Sequence, residues 1–442
     1  MPKGAGPNDP RPVIITTHGY LNSKEMQDAP SVEMSRRGYI VLAVDMYDHG
    51  DSRWSGKIDV GKQFSTFWIY SQFGAAKYIY NQPYTKKDAK GNAYVAVSGH
   101  SMGGFSTLVS LYMDEMNALK TGHRMIYAGL SVGADYSYTS SIAPEDQFLA
   151  AFGSRTIGMI CGHYDEFFFS KSDAEKTPAE KAITGTVIYK NFPSTASGKE
   201  FLGIAANDAS GIAGSFYKVN SGELKVKNVA LRASQQGQRI IYTPTETHPW
   251  NHFSISSTAD EIDFYAHAFS GVTSPSQTNA GLPSGNQVWW LKEAFNLIAL
   301  IGFFLMFVPI VTLLLRVPFL KKAATSELAP VSVAGKGRRE TVYWISIAVS
   351  ALLPAILLNI GGLVLWLICQ YGKDFLTGVA LFPAQALNGI LLFALFPCLG
   401  IAAVYACKLF EKTNNVWLGA FLNTILFTII SAANTAMFWN LV

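Results

Sequence analysis

The sequence predicts an α/β domain with a mostly parallel sheet and flanking helices, followed by an all-α transmembrane bundle of about four helices. Three observations carry this. Apolar, β-rich runs alternate with helix-like stretches through the N-terminal third. One serine sits between glycines at a strand-to-helix turn, and four long uncharged apolar spans fill the C-terminal third.

The first strand is expected at Pro12–Thr17 (PVIITT), leading into His18-Gly19-Tyr20, and the second at Tyr39–Met46 (YIVLAVDM), leading into Tyr47-Asp48-His49-Gly50-Asp51-Ser52. A helix-like stretch, Lys24–Arg37, lies between them, and another, Val60–Tyr80, precedes a third strand at Tyr94–Val97. After Ser98-Gly99-His100-Ser101-Met102-Gly103-Gly104 the pattern is helical to about Leu119. That βαβαβα order calls for a parallel sheet, because each crossover returns the chain to the same end of the sheet and the next strand runs in the same direction.

Gly99-His100-Ser101-Met102-Gly103 has the GxSxG form. Glycines two before and two after the serine let the backbone make a crowded turn that exposes the hydroxyl. Ser101 is therefore the candidate nucleophile. The Met102 amide and the Tyr20 amide, from the loop after the first strand, are the candidate oxyanion donors. His18 is expected to be structural, since an oxyanion loop needs backbone donors rather than a second base.

Acid and base are sought downstream in the order serine, acid, histidine. Thr156–Cys161 (TIGMIC) is expected to be a strand that presents Asp165 at its tip, with adjacent Glu166 as the alternate acid. The last strand, Arg239–Tyr242, is followed by Glu246-Thr247-His248-Pro249-Trp250-Asn251-His252-Phe253 and a helical stretch Ala259–Phe269. Two histidines compete. His252 is favoured as the base because it lies immediately before the final helix, and His248 is the alternate. A histidine pair four apart can also hold a metal, but Pro249 disfavours the required helix and no third ligand accompanies the pair, so neither metal nor other cofactor is expected.

The set HGY, YDHGDS, GHSMGG, GHYDE and NHFS, spread over residues 18–254, resembles the α/β-hydrolase superfamily. The resemblance is to its dienelactone-hydrolase, lipase and cutinase-like polyester-hydrolase branch. It implies a serine esterase with Ser101, Asp165 and His252 as its triad and Tyr20 and Met102 at its oxyanion hole, where a phenylalanine after the histidine matches Phe253. It also implies two earlier strands that the sequence does not offer. Residues 1–270 are thus expected to form a hydrolase domain lacking them, as in an N-terminally truncated chain, with the strand at Val13–Thr17 left near an edge. Residues 167–238 form an insertion between acid and histidine, with a helix-like Asp173–Ala182, and are expected to act as a lid.

The polar stretch 271–286 reads as a linker, and 287–442 as the membrane domain, with spans at about 294–315, 342–369, 384–407 and 416–441. Arg316, Lys321, Lys322, Lys336, Arg338 and Arg339 crowd the 316–341 loop, which predicts that this loop is cytoplasmic and the hydrolase domain extracytoplasmic. The net charge of +4 comes with no long basic run in the first domain, which excludes nucleic acid as a partner. Of four cysteines only Cys161 precedes the spans, so no disulfide framework arises. The expected activity is hydrolysis of lipid-like or other apolar carboxylic esters through an acyl-enzyme, with the bilayer as the protein's other partner. An acyltransferase with the same triad and a catalytically silent membrane sensor or scaffold are the alternatives.

Overall fold

The computed structural model describes residues 1–47, 49–52, 63–165, 167–169, 174–181, 191–208, 211–314 and 316–318. Glu166, the 319–341 part of the basic loop, and the spans expected at 342–369, 384–407 and 416–441 lie outside the described residues, as do parts of the 167–238 insertion. The chain divides into two compact units, Met1–Ser52 with Phe64–Phe295, and Arg53–Gln63 with Asn296–Val442.

The strands are β1 (Val13–Thr17), β2 (Ile40–Val44), β3 (Val95–His100), β4 (Ala128–Val132), β5 (Thr156–Ile160), β6 (Tyr217–Asn220), β7 (Leu224–Val226), β8 (Val229–Arg232) and β9 (Gln236–Tyr242). The helices are α1 (Asp28–Arg36), α2 (Gln63–Tyr80), α3 (Met102–Thr121), α4 (Glu145–Phe152), α5 (Pro178–Lys181), α6 (Ala196–Leu202), α7 (Ile255–Ala268) and α8 (Trp289–Leu314). Seven strands form one sheet in the order β2-β1-β3-β4-β5-β9-β6, parallel except for β6. This is a mostly parallel, helix-covered sheet of the α/β class, as the sequence predicts.

Alternation along the strands builds two apolar layers, because successive side chains leave a strand on opposite faces. Val13, Ile15, Val95, Val97 and Met159 pack with Phe73 of α2, Leu108 of α3 and Phe148 of α4. Ile14, Ala96, Leu130 and Ile240 pack on the other face with Met34 of α1 and Phe264 of α7. Five wholly buried residues make β1 an interior strand, flanked by β2 and β3. Val13–Thr17 thus lies one strand in from an edge, close to where it was expected, with β2, whose residues are mostly half-buried, as the outer strand that covers it on that side.

The insertion is more than a cover. Its β6 joins the far edge of the main sheet, and Phe169, Phe192, Phe201 and Leu202 are buried in the same core as β3 and β5. Removing such side chains from water supplies about 1.5–3 kcal/mol each, which fastens these parts of the insertion to the domain. The 271–286 stretch, expected as a linker, is hydrogen-bonded to the first unit. Arg37 donates to the carbonyls of Pro283 and Asn286, and Ser274 and Ser276 donate to Asp9.

Glu261 on α7 is buried, and burial, reinforced by the neighbouring Asp260 charge, pushes its carboxyl up from 4.5 to about 8. A folded-state value above the unfolded one means that the folded protein holds the proton more tightly. The associated stability is full below the ordinary carboxylate range and is lost as pH rises towards 8. Thermal unfolding is accordingly expected at lower temperature at pH 8 than at pH 5, with a smaller decline in Glu261→Gln. Equal declines in parent and variant would contradict this.

Candidate active site

The site assembles where four neighbouring strands end in register. Beyond the strand ends the ladder continues through Ser101 N–H to Val132 O (2.8 Å), Gly133 N–H to Ile160 O (2.9 Å) and Cys161 N–H to Tyr242 O (2.8 Å). Tyr164 N–H then bonds to Glu246 O at 2.9 Å. The tips of β3, β4, β5 and β9 are thereby held side by side, although Ser101, Asp165 and His248 are far apart in sequence.

Ser101 adopts φ 56° and ψ −114°, a conformation that residues with a Cβ rarely hold. The turn survives because its neighbours are glycines. A Cβ on Gly99 would lie 2.6 Å from the Gly103 carbonyl carbon, and one on Gly103 would lie 2.8 Å from His18 O. Met102 opens α3, so its N–H has no acceptor within the helix and lies at the positive end of the helix dipole. His18, wholly buried, holds the neighbouring loop: its Nδ1 donates to Gly19 O at 2.7 Å while Nε2 accepts from Met46 N–H at 3.0 Å. Gly19 O and Tyr20 N–H belong to one planar peptide unit, so fixing the carbonyl fixes the direction of the Tyr20 donor. Burial pulls the His18 ring down to about 4, which keeps it neutral and structural, as its sequence context suggested.

Asp165 is buried at the tip of β5, where its Oδ1 accepts from Phe167 N–H (2.9 Å) and Phe168 N–H (3.1 Å). Its Oδ2 lies 2.7 Å from His248 Nδ1. A carboxylate only accepts, so Nδ1 carries a ring proton and Nε2 is the nitrogen turned away from Asp165. The histidine brought to the acid is thus His248, and the choice of His252 is corrected.

His252 is also buried, but among the described residues it makes no bond to Asp165. Its Nδ1 lies 3.4 Å from Gln27 Nε2, and its ring packs 3.9 Å from that of His100. Burial, with the charges of His248 and His18 adding to it, lowers its ring to about 4. The physical reason lies in the loop. The chain turns into a 3-10 segment, Pro249–Phe253, immediately after His248, and this carries His252 back beneath the elbow.

His100 ties His248 to the Ser101 turn. Its Nε2 donates to His248 O at 2.8 Å, across 148 residues of sequence, and the two rings lie 4.5 Å apart. Sequence reasoning gave His100 no role, and its adjacency to Ser101 was the one available signal. Gly133, equally unnoticed, has φ 63°, and a Cβ there would lie 3.0 Å from His248 Cε1 and 3.2 Å from His100 Nε2. Gly133→Ala is expected to displace the His248 ring and lower turnover by about a hundredfold, at a stability cost of about 1–3 kcal/mol. Unchanged kcat in the folded variant would contradict this placement of His248.

An aromatic wall stands beside His248. The Phe168 ring lies 5.3 Å from His248, 5.2 Å from Phe105 and 5.5 Å from Tyr138, and the Phe167 ring lies 5.0 Å from His248. Among the described residues no group of His, Cys, Asp and Glu is arranged to hold a metal ion.

No known family profile matches the chain, and no curated protein does. Among solved structures, the Pyrococcus furiosus esterase Pf2001 aligns with 15% identity over 59% of this chain and 83% of its own, at a TM-score of 0.31. TT1662 from Thermus thermophilus aligns with 12% identity over 60% of this chain and 92% of its own, at 0.32. The thioesterase domain from the curacin biosynthetic pathway aligns with 12% identity over 58% and 92%, at 0.30. Superpositions this loose leave the assignment to the chain's own geometry.

Proposed function

We propose that this chain is a membrane-anchored serine hydrolase that cleaves apolar carboxylic esters with Ser101, His248 and Asp165. The observation that carries the reading is the Asp165–His248 bond at 2.7 Å, formed beside a serine turn of positive φ. In this reading His248 Nε2 takes the Ser101 proton as Oγ adds to the ester carbonyl, and the Tyr20 and Met102 amides stabilise the oxyanion. Collapse breaks the ester C–O bond, with His248 returning the proton to the departing alkoxide. Water, activated by the same ring, then releases the acid and restores Ser101.

The aromatic wall beside the base favours a neutral acyl group. For the anchor, α8 supplies the one helix among the described residues that is long and apolar enough to cross a bilayer, and the further spans are proposed from their sequence. Lysine and arginine in the 316–341 loop support an extracytoplasmic hydrolase domain.

The test of the enzyme reading is a rapid-mix experiment with a p-nitrophenyl ester. A burst of one p-nitrophenol per chain before steady turnover is expected from an acyl-enzyme. Release without a burst, unaltered by Ser101→Ala, would overturn the covalent step.

A further inference from the structure

We propose that the loop bearing His248 and the start of α8 form one apolar collar that rests in the bilayer interface, so that the site draws its ester from the membrane. This deepens the hydrolase reading and rests on it for the substrate, while the docking itself is argued from the surface.

The start of α8 is rigidly fixed to the catalytic domain. Glu33 of α1, fully buried, accepts from Val288 N–H (2.6 Å) and Trp289 N–H (3.0 Å) through Oε1. Its Oε2 is paired with Arg36 and Arg37 at 2.6 and 2.7 Å. A buried carboxylate with four such partners caps the helix, and Lys292 pairs with Asp28 one turn further on.

The same junction reaches the catalytic loop. Gln287 Nε2 donates to Ile255 O at 2.9 Å, and Trp289 Nε1 donates to Gln287 Oε1 at 2.8 Å. Ile255 opens α7 directly after the 3-10 segment that His248 begins. This short stretch turns large apolar side chains outward: Trp250 is 57% exposed, Phe253 42% and Ile255 58%. Across the Gln287 bridge, Trp290 and Leu291 are 48% and 39% exposed.

Contiguous exposed apolar surface marks an interaction site, and indole rings with one polar edge suit the headgroup level. A bilayer is favoured over a protein partner because the collar is continuous in the chain with a helix whose sequence beyond Phe295 holds no charged residue and is mostly apolar. Lipid is then the phase required at this place. An acyl ester held in the bilayer would meet His248 and the aromatic wall from the collar side without full extraction into water.

The test uses the full chain in phosphatidylcholine nanodiscs, with a benzophenone amino acid replacing Trp250, Ile255 or, as control, Val229 on the β7–β8 hairpin. Illumination is expected to give lipid adducts at 250 and 255 and background yield at 229. Equal yields at all three positions would overturn the docking.

A second readout compares substrates. Trp250→Ser with Ile255→Ser should lower turnover of a long-chain diacylglycerol in the discs by about tenfold, and that of a water-soluble butyrate ester by less than about twofold. Parallel loss on both substrates would overturn the collar's role. Adducts without any ester turnover would leave the docking standing and remove the hydrolase reading, and turnover without adducts would do the reverse.

Discussion

Ser101→Ala is expected to reduce ester turnover by about 10⁴-fold or more while leaving the fold intact. The magnitude follows from the loss of covalent catalysis: without the nucleophile, only oxyanion stabilisation and substrate positioning remain. The fold should survive because alanine keeps the Cβ that Ser101 already carries at φ 56°, and the glycines that permit the turn are untouched. Circular dichroism and thermal unfolding should match the parent, so that the activity loss is chemical. Turnover within about tenfold of the parent would remove Ser101 from the nucleophile role.

The second large effect separates the two histidines. His248→Ala is expected to lower kcat by about 10⁴-fold, because it removes the ring that Asp165 holds. His252→Ala removes a buried ring packed on His100 and bonded to Gln27, so its cost should appear in stability, about 1–3 kcal/mol, with kcat within about tenfold. Steady-state kinetics on the two purified variants decide the matter. A collapse of kcat in His252→Ala, with His248→Ala near the parent, would return the base to His252.

The contrast between these histidines also shows where sequence alone was sufficient. Pro12–Thr17, Thr156–Cys161 and the GxSxG turn were legible because their signals are local: apolar runs bounded by turn residues, and glycines that a tight turn requires. The strands β1 and β5 match those runs to within a residue at either end. The position of Asp165 was legible too, because it is placed by the strand immediately before it.

Non-local choices were not legible. Which histidine meets Asp165 depends on the bond from Tyr164 N–H to Glu246 O, which sets the registry between two loops about 80 residues apart, and no local pattern encodes it. The weight given to the final helix misled, because the 3-10 segment Pro249–Phe253 consumes the distance between His248 and α7. That β2 pairs outside β1 was hidden for a similar reason. The buried residues of β1 suit either side of a sheet, and only pairing with both β2 and β3 fixes its position. β6 escaped notice because its half-exposed residues, YKVN, lack the apolar run that marks a buried strand.

The most direct measurement of the central claim is mass spectrometry of the full chain after treatment with a fluorophosphonate. The reagent should add one phosphonyl group per chain, on the peptide carrying Ser101, and labelling should slow by orders of magnitude in His248→Ala while staying near the parent rate in His252→Ala. Failure of the folded parent to acquire the group, or its appearance on another residue with Ser101 unmodified, would contradict the assignment of this site as a serine hydrolase centre.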